Sequence, residues 1–275
     1  MRAEINVLGP LEVVLDDVCV VPTAGKPRQL LALLAINAGR VVRTSALMEE
    51  LWGTRMPRSA AGTLQTYVLQ VRRQIRRALP EQQAELSHEL LATTHTGYSL
   101  RVEPESVDAV RYGRLSNQGR TAGQAGDYAA ADRLLGEALA VWRGPALVDV
   151  PAGPQLEIET TVLAESRLTD LTLRIDAALY LGRHQQLLGE LAALCARHPY
   201  MENFHAQHML ALYRSGRPGE ALEAYQAVAT TIHEQFGVDP SPRLRHLHHA
   251  LLAGDALLDE PRFMVNNWTP DAVAG

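Results

Sequence analysis

Between Ser59 and Leu79 the chain sets Thr63, Gln65, Thr66, Tyr67, Gln70, Arg72, Arg73, Arg76 and Arg77 around an apolar repeat of Leu64, Val68, Val71, Ile75 and Leu79. The apolar spacing of four, three, four and four predicts a helix from about Ser59 to Leu79 with one buried face. From Thr63 to Leu79 there are four arginines and no acid. Hydroxyls and amides toward the start of such a helix can pair with base edges, and guanidinium groups toward its end can hold phosphates. The same arginines would also complement the negative end of the helix dipole on an ordinary surface helix. These residues alone leave the two readings open.

The elements that must position this helix are legible around it. Glu4–Leu8, Leu11–Leu15 and Val18–Val21 are short runs of strand composition, separated by Gly9-Pro10 and Asp16-Asp17 and closed by Pro22. They predict a small antiparallel meander. A first helix is expected from Pro27, a favourable first-turn residue, through Leu30, Leu31, Leu33, Leu34 and Ile36 to a stop at Gly39. Thr44 is an N-cap candidate for a second helix carrying Leu47, Met48, Leu51 and Trp52, which Gly53 ends. A loop, Thr54–Arg58, follows, and Ser59 can cap the third helix. The acidic, Gln-rich stretch 80–89 connects that helix to Leu90–Thr94, His95-Thr96-Gly97 and Tyr98–Arg101, which reads as a β-hairpin with a glycine turn. Three strands, three helices and a terminal hairpin describe a winged helix-turn-helix. Its third helix suits the major groove and its wing the neighbouring minor groove.

Charge supports that division. The net charge is −5, but residues up to Glu103 hold 12 basic against 10 acidic groups, and those from Pro104 onward 14 against 21. The first third can therefore meet nucleic acid although the whole is acidic. At 47% hydrophobic, 21% charged and 5% aromatic, the 275 residues can bury cores built mostly of Leu, Ala and Val. No apolar run reaches a membrane-spanning length and no signal core follows the N-terminus, so a cytoplasmic protein is expected. Cys19 and Cys195 have no Cys-x-x-Cys partner, which argues against a disulfide scaffold and a cysteine zinc site. His205 and His208 are spaced for one helix face, and His246, His248 and His249 follow, but no third ligand falls in a recognisable pattern. Neither a metal nor another cofactor is expected. Phosphate-loop, dinucleotide-binding and nucleophile-elbow motifs are absent from the sequence, so a non-enzyme is expected.

The first domain resembles the OmpR-type effector domain, with Thr96-Gly97-Tyr98 in its wing and His95 where that type commonly has an arginine. Leu8-Gly9-Pro10-Leu11-Glu12-Val13, Lys26–Leu31, Leu51-Trp52-Gly53 and Leu64–Val68, in that order, look like the Streptomyces antibiotic regulatory protein family. By position, the resemblance places DNA contacts on Thr63, Thr66, Tyr67, Gln70, Arg72, Arg73 and Arg76 of the third helix and on Thr94 and His95 of the wing. Thr66 and Gln70 would read bases. Arg72, Arg73 and Arg76 would hold phosphates, with Arg77 solvated. Arg55 and Arg58, in the loop before the third helix, would meet RNA polymerase or its sigma factor.

From Val107 to Gly254 the pattern is helical, and three turns repeat: Gly126-Asp127-Tyr128, Gly182-Arg183-His184 and Gly216-Arg217-Pro218, the last two at the 34-residue tetratricopeptide period. Small or apolar residues follow each at similar offsets: Ala130-Ala131, Leu187-Leu188 and Ala221-Leu222. Tyr213–Leu222 and Phe236–Pro242 resemble the bacterial transcriptional activator domain of the same family. The expected architecture is an α+β winged helix-turn-helix domain over 1–102, an all-α tetratricopeptide-like helical-repeat domain over 107–254, and a tail over 255–275 that includes Trp268. The resemblance implies an activator of a secondary-metabolite gene cluster, binding direct repeats of duplex DNA near a promoter as a pair of copies and recruiting RNA polymerase holoenzyme. A tetratricopeptide-type adaptor and a repressor on the same fold are the alternatives, and a small metabolite bound by the helical domain is a further option.

Overall fold

Strands Ala3–Asn6 (β1), Glu12–Leu15 (β2) and Val18–Cys19 (β3) pair antiparallel in the order β1-β2-β3, forming the meander expected from the sequence. Asp16 and Asp17 close the β2–β3 hairpin with φ of 42° and 68°, the left-handed pair that a two-residue hairpin loop requires. The computed structural model describes residues 2–83, 85–261 and 263. The chain continues through Gly25–Ile36 (α1), Val42–Arg43 (β4), Thr44–Trp52 (α2) and Ala60–Ala78 (α3). Pro27 lies in the first turn of α1, where its missing N–H costs nothing. Thr44 is not the cap of α2: it is the first helical residue, and its hydroxyl turns to the carbonyl of Thr96 at 3.4 Å. Ser59 occupies the cap position of α3 but makes no side-chain capping bond.

The stretch read as a connection holds a turn of 3₁₀ helix, Glu81–Gln83, and a short helix, Leu86–Leu90 (α4). Leu91–Thr93 (β5) and Gly97–Leu100 (β6) then form the hairpin, and β4 joins them in a second sheet of order β4-β6-β5. Gly97 faces Arg43 in that register, and a Cβ there would stand 2.0 Å from the Val42 carbonyl oxygen. The glycine of Thr-Gly-Tyr is what lets β4 cross so close.

By contacts the chain divides into two units. Unit 1 is residues 1–115 with 137–168, and unit 2 is 116–136 with 169–275. The helices Asp108–Gln124 (α5), Tyr128–Ala140 (α6) and Pro154–Tyr180 (α7) each supply residues to both. In unit 1 one core runs from Ile5, Val7 and Leu8 through the α1 leucines and the α3 stripe to Tyr112, Trp142, Leu147 and Leu156. Two buried acids explain why residues after 107 join it. Asp108, 2% exposed, accepts hydrogen bonds from the Val7 and Leu8 amides at 2.9–3.0 Å. Burial raises its pKa, and those amides oppose the rise. Glu50, also 2% exposed, accepts from the amides of Gly153, Gln155 and Leu156 at the start of α7.

In unit 2, Gly126, Gly182 and Gly216 adopt φ of 82°, 75° and 76°. At each, the next residue's amide reaches back to the carbonyl five residues earlier: Asp127 to Ala122, Arg183 to Ala178 and Arg217 to Leu212. Three identical left-handed helix ends mark an internal repeat. Ala131, Leu187 and Ala221, each five residues after its glycine, are all buried. The repeat continues through His184–Arg197 (α8), Glu202–Arg214 (α9) and Pro218–Phe236 (α10), and Pro242–Ala253 (α11) follows. Ala256–Asp259 then form a 3₁₀ turn that buries Leu258, whose carbonyl accepts from Arg214 Nε at 2.9 Å. Trp268 lies outside the described residues. Among the described residues no helix is long and apolar enough to cross a membrane.

Candidate nucleic-acid interface

The side chains of α3 sort by helical spacing. Ala60, Leu64, Val68, Val71, Ile75 and Ala78 are buried and clamp the helix onto unit 1. On the opposite face Gln65, Thr66, Leu69, Arg73, Arg76 and Arg77 are exposed. This face holds no acid anywhere between Ala60 and Ala78, so its field is positive along its C-terminal half. Thr63 and Thr66 donate their hydroxyls to the carbonyls of Ser59 and Gly62, each at 3.1 Å. A hydroxyl held against its own helix leaves the methyl as the group available to a ligand, which suits Thr66 to an apolar contact.

Thr63 and Gln70 are half-buried on the flank they share with Tyr67. The Tyr67 ring lies over Trp52 of α2, with centroids 6.2 Å apart and planes at 26°. Its aromatic face is used to seat α3 on α2.

Arg72 is engaged within the protein. It sits on the other flank, half-buried. Its Nε and Nη2 donate to the Leu91 carbonyl at 3.1 and 2.6 Å, and Nη2 donates to Thr93 Oγ1 at 2.7 Å. Burial lowers its pKa, with Tyr98 opposing. The guanidinium therefore ties β5 of the wing to α3. Sequence periodicity could have placed Arg72 beside the buried stripe, but nothing in the sequence named Leu91 and Thr93 as its partners. Arg72→Ala is expected to cost about 1–3 kcal/mol of stability, as loss of charge-assisted hydrogen bonds does. For the DNA-reading function proposed below, such a brace predicts weaker binding with the salt slope left at the wild-type value. Titrations at several salt concentrations check this, because a lost phosphate clamp would flatten the slope by about 0.9.

In the wing, the Thr94 hydroxyl is spent on the turn: Oγ1 accepts from the Gly97 amide at 3.1 Å and donates to the Gly97 carbonyl at 3.2 Å. His95 and Thr96 stand exposed at the tip. Arg55 and Arg58 are exposed, and every residue of the loop Thr54–Arg58 is open to solvent. The structure thus brings Thr66, Arg73 and Arg76 onto one open face and braces the wing beside it through Arg72. Leu69 lies within that face and was singled out by no sequence pattern, since it falls outside the buried repeat.

Comparison with known proteins places this geometry. Residues 20–100 match the family described as transcriptional regulatory protein, C terminal, and residues 107–252 match the bacterial transcriptional activator domain. The chain is 48% identical to the regulatory protein DnrI of Streptomyces peucetius over 93% of this chain and 94% of that protein. It is 37% identical to the transcriptional regulator RedD of Streptomyces coelicolor, over 94% of this chain and 73% of that one. Among solved structures, Mycobacterium tuberculosis EmbR in complex with a low affinity phosphopeptide superposes with a TM-score of 0.85 at 32% identity. That match covers 96% of this chain and 69% of EmbR's.

Proposed function

The chain belongs to the Streptomyces antibiotic regulatory protein family of transcriptional activators, and from that premise we propose that it binds duplex DNA sequence-specifically through α3 and the wing. The observation that carries this reading is the open, acid-free face of α3 with Thr66, Arg73 and Arg76 upon it. Thr66 and Gln70 contact base edges in the major groove, the amide suiting adenine and the threonine methyl suiting thymine. Arg73 and Arg76 hold phosphates and set register. Thr63 and Tyr67 border the groove, Arg72 and Thr94 hold the wing in shape, and His95 reaches toward the minor groove. An adaptor that does not bind DNA would have no use for such a face.

Two copies bind direct repeats spaced by about one helical turn, so that both lie on one face of the duplex. The helical repeats supply protein contacts, and the bound pair recruits RNA polymerase holoenzyme in the cytoplasm to the promoter of a secondary-metabolite gene cluster. The exposed loop with Arg55 and Arg58 meets an acidic surface of polymerase or sigma factor. Selection of duplexes from a random pool by the full chain tests DNA reading: enrichment of a repeated motif is expected, and a pool that stays random would overturn it. Alanine at Arg55 or Arg58 should leave affinity for the enriched duplex unchanged while lowering transcript yield in a reconstituted assay. Parallel loss of both would move the loop from polymerase to DNA.

A further inference from the structure

Leu69 has 49% of its surface exposed in the middle of the face that carries Thr66, Arg73 and Arg76. It lies three residues after Thr66 and four before Arg73, so on a helix its side chain stands between theirs. The buried repeat of α3 passes through Val68 and Val71 and gives Leu69 no role in the core. Its helical neighbours, Gln65, Thr66, Arg72 and Arg73, are polar or cationic.

The major groove of B-DNA offers one sizeable apolar feature, the C5-methyl group of thymine. A cationic face attracts the duplex, and the one large apolar side chain within it then meets whatever apolar feature the groove floor presents. We propose that Leu69 is a specificity-determining residue that packs against thymine C5-methyl groups, extending the apolar contact offered by the Thr66 methyl. The inference rests on the DNA-reading function argued above and adds a base preference to it.

The experiment uses the full chain and a duplex that it enriches from a random pool. Each thymine is replaced in turn by deoxyuridine, which removes the methyl and keeps the base pair. Wild type should lose about fourfold in affinity at one or two of these positions, the effect of one buried methyl-sized group. Leu69→Ala, whose exposed site should leave folding intact, should bind the ordinary duplex more weakly by a similar factor and be indifferent to deoxyuridine at those positions. Arg73→Ala should keep the full deoxyuridine penalty. If Leu69→Ala keeps that penalty, or if wild type shows none, the inference is overturned while DNA reading stands. Unchanged DNA affinity with lowered transcription in Leu69→Ala would assign the side chain to a protein partner and overturn it as well. Failure to enrich any duplex would remove DNA reading and this inference together.

Discussion

Replacing Glu50 by alanine is expected to lower the stability of the protein by about 3 kcal/mol, since each buried donor left without its acceptor costs about 1–3 kcal/mol. The carboxylate is 2% exposed. One oxygen accepts from the Gly153 amide at 2.7 Å and from Gln29 Nε2 at 2.8 Å. The other accepts from the Gln155 and Leu156 amides at 2.9 and 3.0 Å. The first amides of a helix have no partner within it and carry the positive end of its dipole. Glu50 therefore caps α7 from α2. Without it the three amides lose their acceptor, and Gln29 Nε2 keeps only the Glu50 backbone carbonyl. Glu50→Gln should recover only part of the loss, since its amide would confront amide donors on one side. Urea midpoints of the three proteins check the order wild type, glutamine, alanine. A loss under about 1 kcal/mol for alanine would show that the cap contributes little in solution.

The second large effect separates the two kinds of DNA contact proposed for α3. Gln70→Ala should lose about 1–3 kcal/mol of discrimination at one base position. Arg73→Ala should instead weaken binding to all sequences alike and reduce the salt slope by about one unit. The structure gives each a reason. Arg73 is exposed on the outer face, where a guanidinium can follow a phosphate. Gln70 is half-buried on the flank that carries Tyr67, where fewer orientations are open to its amide. Competition binding against single-base variants of an enriched duplex, repeated over a salt series, reads both quantities. Identical behaviour of the two variants would contradict the division into base readers and phosphate holders.

Much of the fold was legible because it follows local rules. The Asp16-Asp17 turn, the α3 stripe and the three glycine-ended helices each declare themselves within a few residues. What stayed hidden depends on residues far apart in the chain. β4 has two residues and no period to detect, and only its pairing with β6 defines it. Glu50 and Asp108 look like surface acids in the sequence, and their burial comes from partners about a hundred residues away. Those same two anchors tie residues after 107 into unit 1. At the candidate interface, periodicity separated the buried stripe from the rest but not the two flanks from the open face. Arg72 therefore grouped with Arg73 in the sequence, although the structure turns it to the wing. Leu69 went unremarked because an exposed leucine has no sequence signature.

The most direct test of the central claim is a footprint of the purified protein on sheared genomic DNA of the organism that encodes it, across a salt series. Protection of two direct repeats about one helical turn apart, weakening steeply as salt rises, is the result this account predicts. Absence of protection even at low salt would contradict it, and the open face of α3 would then have to serve a partner other than DNA.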